Sequence, residues 1–323
     1  MNINLSNFLQ LKFNIFIYRS LGWGIAYLYI IILGKLYLFL NAKEKKKIVL
    51  AVEAAFYNHK NDPEIRSITG NIYKGIFRHY YEKLFNAFSS VEELRSFMHK
   101  NIEEHGLSEI ARGLSFGKGV LLVTGHFGGV EFAPGYLAAK HFPVTIIVRF
   151  SSPSLRDISI KKASNFSSRI IDADSTPNIL KAIHDNLKEN RVVITQCDEI
   201  DEWRPSKEHI DFMDNQIRLD KTINILTKRL DTYTAFAIMH RLGGGKYKFI
   251  VNPLNDILVK FNSRNNTSMG ALVLKFLEYY IYKFPEEWYQ WKNYYRVMNF
   301  PPKTYTRYKS SHASVLRPTL VEG

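Results

Sequence analysis

The sequence predicts an α/β fold: a mostly parallel sheet flanked by helices, preceded by an N-terminal hydrophobic helical anchor. Three observations predict it. From Gly117 onward, short apolar runs of strand type alternate with helical stretches, the rhythm of βαβ units. Before Gly117, the chain reads as helical from about Ala42 to Arg112. Ahead of both, Ser20–Gly34 (SLGWGIAYLYIIILG) carries no charge, and Leu36–Leu40 extends it past the single Lys35.

Residues 1–41 form the anchoring segment. A spanning helix needs about 20 apolar residues, a length reached here if Lys35 snorkels to the interface. Tyr18, Trp23, Tyr27, Tyr29 and Tyr37 recur through the run, as aromatic residues do at headgroup level. Lys12 and Arg19 precede it, and Lys43, Lys45, Lys46 and Lys47 follow. That lysine cluster predicts that the remainder lies on the cytoplasmic face of the membrane. A charged leader and a small-residue cleavage site are both wanting, so a signal peptide fits poorly.

Residues 42–116 are expected to be a helical segment packed on the core. Ile48, Val49, Val52 and Phe56 fall at helical spacing, as do Ile72, Ile76, Tyr80 and Leu84. Asp62-Pro63-Glu64 breaks the run, with Asp62 as N-cap, and Ser90 with Glu93 makes a capping box.

Residues 117–300 are the expected α/β core. Strands are predicted at Gly119–Thr124, Val144–Phe150, Ser168–Ile171 and Arg191–Gln196, with helices at Ala133–Lys140, Pro153–Ser164 and Pro177–Lys188. The polar stretch 198–216 reads as a functional loop, followed by a helix at Ile217–Leu230. Thr232–His240 and Tyr247–Pro253 flank Gly243-Gly244-Gly245 as a hairpin, and Thr267–Phe284 is a long amphipathic helix. Residues 301–323 are expected to be a loosely ordered tail.

Composition narrows the function. The 323 residues carry 44 Lys and Arg against 30 Asp and Glu, a net charge of +14. The excess predicts an anionic partner. The basic residues are dispersed rather than striped with aromatics, which argues against nucleic acid. A single cysteine, Cys197, excludes an internal disulfide and argues against a cysteine-based zinc site.

Gly117–Phe132 (GKGVLLVTGHFGGVEF) carries the chemistry. An apolar strand runs into a glycine-rich turn with His126 at its end, where ligands collect in open α/β sheets. Glu131 follows five residues later. A turn on Gly128 and Gly129 is expected to fold the Glu131 carboxylate back onto one imidazole nitrogen, leaving the other as a proton acceptor. The same glycines would free backbone N–H groups for an oxyanion or phosphate. No G-x-S-x-G elbow, P-loop or dinucleotide fingerprint competes, and the remaining histidines have no metal-ligand spacing.

HFGGVE is an H-x4-E box, and its setting resembles the glycerolipid-type acyltransferases, in particular the bacterial late acyltransferases of lipid A biosynthesis. GKGVLLVTGHFGGVE resembles that family's strand-and-box segment, RFSSPSLRD from Arg149 its second block, and PEEWYQW (Pro285–Trp291) its closing block. The closing block departs from the family by continuing as Lys292-Asn293-Tyr294-Tyr295-Arg296 rather than as a basic His-Arg-Arg run. The QCDEID segment keeps Asp198 but not the glycine and phenylalanine that usually follow.

The resemblance implies a glycerolipid acyltransferase-like core and acyl transfer from an acyl thioester to a lipid or glycolipid hydroxyl, without cofactor or metal. His126 would be the general base and Glu131 its brace. Arg149 would bind an acceptor phosphate or the phosphopantetheine of a carrier, and Asp198 would hydrogen-bond the acceptor or brace the site. Acidic acyl carrier protein is the implied donor, and acyl-CoA the alternative. Two other readings keep the fold: O-acylation of a lysophospholipid or other lipid, and a non-catalytic membrane-binding protein. Trp288 and Trp291 suit core packing better than a lipid groove. Cys197, at the end of a buried strand, suits an inert thiol.

Overall fold

The computed structural model describes residues 8–150, 153–260 and 268–298. The tail expected at 301–323 and the start of the helix expected at Thr267 lie outside these.

Helices α1 (Lys12–Leu21) and α2 (Trp23–Leu40) precede α3 (Ala42–Phe56) and the long α4 (Asp62–Phe88). Asn61, not Asp62, caps α4. Its side chain accepts from Glu64 N–H while the Glu64 carboxylate takes the Asn61 N–H, which puts Pro63 inside the first turn, where its missing N–H costs nothing. Helix α5 (Val91–Asn101) has the Ser90 cap. Strand β1 (Ile102–His105) then interrupts the run expected to be helical through Arg112, before α6 (Leu107–Ser115). Only Ile102 of β1 is buried; the strand exists because a distant partner supplies its ladder, which local periodicity cannot reveal.

The core alternates as predicted. Strand β2 (Val120–Gly128), α7 (Ala133–Ala139), β3 (Val144–Val148), α8 (Pro153–Asn165), β4 (Arg169–Asp172), α9 (Ile179–Lys188) and β5 (Val192–Gln196) follow in turn. The stretch expected to be a loop at 198–216 instead holds β6 (Pro205–Phe212), which pairs antiparallel with β7 (Asn215–Asp220) as a separate ribbon. The expected helix at Ile217–Leu230 therefore begins only at Thr222, as α10 (Thr222–Arg229). Ile217 and Leu219 are buried while Gln216 and Arg218 are exposed, the period of a strand. The turn between the two strands sits on Met213 and Asp214, at φ +50° and +59°. Two positive φ values make a primed hairpin turn, built here without the glycine that would announce it.

The predicted hairpin is β8 (Tyr233–Gly243) and β9 (Lys246–Pro253), followed by α11 (Leu254–Lys260), α12 (Met269–Lys283) and α13 (Trp291–Tyr294). The main sheet has seven strands in the order β1-β9-β8-β2-β5-β3-β4. Strands β8, β2, β5, β3 and β4 run parallel, and β9 turns back against β8. The fold is α/β with a mostly parallel sheet flanked by helices, as the sequence predicts. Strand β2 is central and buried at every position, so its C-terminal end opens at the middle of one edge of the sheet.

Candidate active site

His126 stands near the end of β2. The parallel register pairs Thr124 with Gln196 of β5, so the segment just past β5 emerges beside the histidine. Cys197 N–H donates to the Thr124 carbonyl at 2.8 Å, and Asp198 follows directly. Both Asp198 oxygens accept from the His126 backbone N–H at 3.0 Å, and Oδ1 lies 2.9 Å from His126 Nδ1. Trp288 Nε1–H donates to Asp198 Oδ2 at 2.6 Å. A carboxylate accepts only, so these contacts assign Nδ1–H as donor, and Nε2 holds the lone pair whenever the ring is neutral.

The closing block holds this arrangement from the other side. Phe127 and Trp288 form an antiparallel bridge, and Tyr289 N–H donates to the His126 carbonyl at 3.3 Å. Trp288 and Trp291 are both fully buried and packed edge to face, 5.0 Å apart. Both are core residues, as expected, but Trp288 also carries the polar contact to Asp198. Burial opposes a charge on His126. The Asp198 carboxylate, with Glu199 and Glu131 behind it, outweighs burial and raises the imidazole above its usual value.

Glu131 does not take the place expected for it. Asp198 occupies Nδ1, and the carboxylate facing Nε2 is Glu199, at 3.5 Å. Glu131 faces His79 of α4, with Oε1 3.8 Å from His79 Nε2. The His79 ring stacks flat on Tyr289 with centroids 3.4 Å apart, and Tyr289 meets His126 edge-on at 5.1 Å. Glu131 thus belongs to the same cluster through its field rather than by direct contact.

The glycines are committed elsewhere too. Gly129 N–H donates to the Met239 carbonyl at 2.8 Å, and the Gly128 carbonyl accepts from Arg241. Gly128 has φ +60°, and a side chain there would collide with the Met239 carbonyl and the Glu287 carboxylate. A side chain on Gly129 would strike the Tyr247 ring. Both glycines allow close packing against β8 and β9, and the Gly129 N–H is not free for an oxyanion.

His126, Glu131, Glu199, His79 and Tyr289 line one cavity of about 940 Å³ at the C-terminal ends of β2, β3 and β5, the size class of sites for organic ligands. Its walls reach Ile146 and Phe166 on one face of the sheet and Ile179 and Ile183 on the other. The profile of the family described as "Bacterial lipid A biosynthesis acyltransferase" matches residues 71–296. The chain belongs to this acyltransferase family. Comparison with curated protein sequences finds no match.

In this acyltransferase, Arg149 lies at the cavity wall just past β3, paired with Asp174 and, at 3.2 Å, with Glu202. Lys162 also lines the cavity, but its ammonium donates to the carbonyls of Asn86, Ala87 and Ser89 at the end of α4. Burial pushes it down to about 8. Burial likewise pushes the Cys197 thiol well above its usual value, which keeps it protonated and unreactive. Sequence reasoning missed His79, Tyr289 and Glu199. Of these, Tyr289 and Glu199 lie inside the PEEWYQW and QCDEID segments, whereas nothing local marks His79.

Proposed function

We propose that this acyltransferase moves a fatty acyl group from an acyl thioester, with acyl carrier protein as the donor, to a hydroxyl of a lipid or glycolipid acceptor, using His126 as general base. One observation carries the reading. His126 directs Nε2 into a large cavity while Nδ1 is anchored on a buried carboxylate that Trp288 fixes in turn.

The steps follow from that geometry. Nε2 takes the acceptor hydroxyl proton as the oxygen attacks the thioester carbonyl carbon. The tetrahedral intermediate collapses, the C–S bond breaks, and the imidazolium returns its proton to the leaving thiolate. Asp198 stabilises the imidazolium between the two transfers. Glu199 stands where the hydroxyl must enter, so substrate binding displaces it. Glu131 adds negative field. Arg149, already balanced by two carboxylates at the wall, exchanges them for a phosphate of donor or acceptor. The net charge of +14 suits an acidic carrier protein and an anionic bilayer alike.

Helix α2 supports a membrane setting. It is long and apolar enough to cross a bilayer. One face, including Ala26, Ile30 and Tyr37, is buried, and Trp23 meets Phe85 of α4 edge-on at 5.2 Å. The opposite face exposes Ile25, Leu28, Ile32 and Phe39, continued by Phe13 and Phe16 of α1. A helix packed on its own core by one face and apolar on the other suits the bilayer interface. Beyond it, Glu44 of α3 lines the cavity and pairs with Lys292 at 3.2 Å, which brings the apolar surface close to the site. Flotation with anionic liposomes should carry the full chain upward. Leu28→Asp together with Ile32→Asp should leave it in the dense fraction, and unaltered flotation would remove the membrane reading.

The direct test is transfer from radiolabelled acyl-carrier-protein thioester to a panel of lipid acceptors in membranes. Wild type should form labelled product, and His126→Ala should lose about 10²–10⁴ in rate. Equal transfer by both would exclude His126 as the base; acyl-CoA outperforming the carrier thioester would reverse the donor assignment.

A further inference from the structure

We propose that His79 is a positioning residue acting on the general base through Glu131: its Nε2–H holds the charged Glu131 carboxylate towards His126, and its ring face fixes Tyr289 against the His126 imidazole. This deepens the reading above and rests on it for the role of His126.

His79 is buried, at 4% exposure, yet lines the same cavity as His126. Its Nδ1 has no hydrogen-bond partner. Buried polar groups are almost always paired, and an exception needs an explanation. The geometry gives one. Nε2 faces a carboxylate at 3.8 Å, which favours the neutral tautomer with its proton on that nitrogen and a bare lone pair on Nδ1. The ring is held in this orientation by its stack on Tyr289, tilted by only 13°.

Neutrality is the useful property. Burial, with the charges of Lys83, Arg241 and His126 adding to it, keeps His79 well below its usual value. A lysine or arginine in its place would hold Glu131 but also push down the pKa of His126. A neutral imidazole orients the carboxylate and leaves its negative field intact. The groups facing His126 are Asp198 and Glu199 beyond β5, Glu131 after β2, and Tyr289 of the closing block. Of the three carboxylates, Glu131 is the one oriented from α4. At 3.8 Å the contact is longer than a hydrogen bond and acts through the field between the imidazole N–H and the carboxylate.

His79→Phe tests this, because it keeps an aromatic ring for the stack on Tyr289 and removes both nitrogens. The readouts are the His126 titration, by NMR of ¹³C-labelled histidine, and kcat/KM against pH. His79→Phe should stay folded, titrate His126 lower by up to about one unit, and move the acid limb of kcat/KM down with it, a tenfold change in the protonation equilibrium. Glu131→Gln should give the same shift, and the double variant no more than either alone. His79→Gln, whose amide N–H reaches the Nε2 position, should recover the wild-type titration. If His79→Phe titrates and turns over as wild type, or its effect adds to that of Glu131→Gln, the proposal falls. Should wild type transfer no acyl group, the assigned reaction fails, while the titration of His126 still decides the role of His79.

Discussion

Two clusters of charge meet at the end of β2, and three elements contribute to both. Helix α4 gives Glu82 to one and His79 to the other. Strand β2 gives the Gly128 carbonyl to one and His126 to the other. The closing block gives Glu287 to one and Trp288 with Tyr289 to the other. The first cluster is closed. Arg241 forks onto both oxygens of the fully buried Glu82 at 2.9 and 2.7 Å and reaches the Gly128 carbonyl, while its backbone N–H donates to Glu287. Tyr247 O–H and Arg78 complete the Glu82 shell. The second cluster is open. Asp198, Glu199 and Glu131 surround an imidazole whose charge depends on pH, and His79 keeps an unpaired nitrogen. The contrast separates scaffold from chemistry: permanent charges are matched where the fold must be rigid, and acid is left in excess where a proton must be held and released.

The sharpest way to break the comparison is to open the closed cluster. Arg241→Ala leaves Glu82 ionised and buried without its main partner, which should cost about 3–5 kcal/mol of stability. Chemical denaturation of the purified protein reads this directly. A loss below about 1 kcal/mol would mean that the network is no scaffold. Asp198→Asn comes next. It should spare the fold and cut kcat by on the order of 10²-fold, since the amide cannot stabilise the imidazolium as the carboxylate does.

The pH dependence gives that second variant its signature. The proposed general-base step needs neutral His126, and its pKa is raised, so the acid limb of kcat/KM in the wild type should lie above about 6.5, the unperturbed value. Asp198→Asn should move the limb down. Stability runs the other way. The His126–Asp198 contribution is fully present below the unfolded pKa and fades as pH rises through the raised folded value. A limb that stays in place in Asp198→Asn would show that another group governs the profile.

Much of this was legible in the sequence, and what was not has physical causes. The alternation of β2 to β5 with their helices follows from local periodicity and could be read directly. The ribbon of β6 and β7 could not, because its turn rests on Met213 and Asp214 rather than glycine and its strands need each other. His126 was legible because a strand end and a glycine turn are local features. Its partner was misjudged for the same reason. Glu131 is near in sequence, but parallel neighbours in a sheet end at the same edge, and that geometry delivers Asp198 from β5. The segment QCDEID carries Asp198, whose sequence context suits a brace or an acceptor contact but does not tie it to Nδ1. His79 lies on a helix with no motif around it, so only the packed structure brings it to the cavity.

The smallest effect is expected at Cys197, which touches the open cluster in sequence yet takes no part in it. Its thiol is buried and held protonated beside the charge of Asp198, so it is a poor nucleophile. Cys197→Ala removes one polarisable atom from the apolar layer and leaves a small void, at a cost of about 1 kcal/mol. The rate should stay within about twofold of wild type, because the proton path through Nε2 and Nδ1 is untouched. The comparison also separates two mechanisms. Direct attack by an acceptor hydroxyl tolerates the loss of the thiol, whereas a covalent acyl-thiol intermediate does not. Steady-state transfer by Cys197→Ala, checked by mass spectrometry of the wild-type protein incubated with donor alone, distinguishes them. An acylated wild-type chain together with an inactive variant would replace general-base catalysis with a two-step route through sulfur.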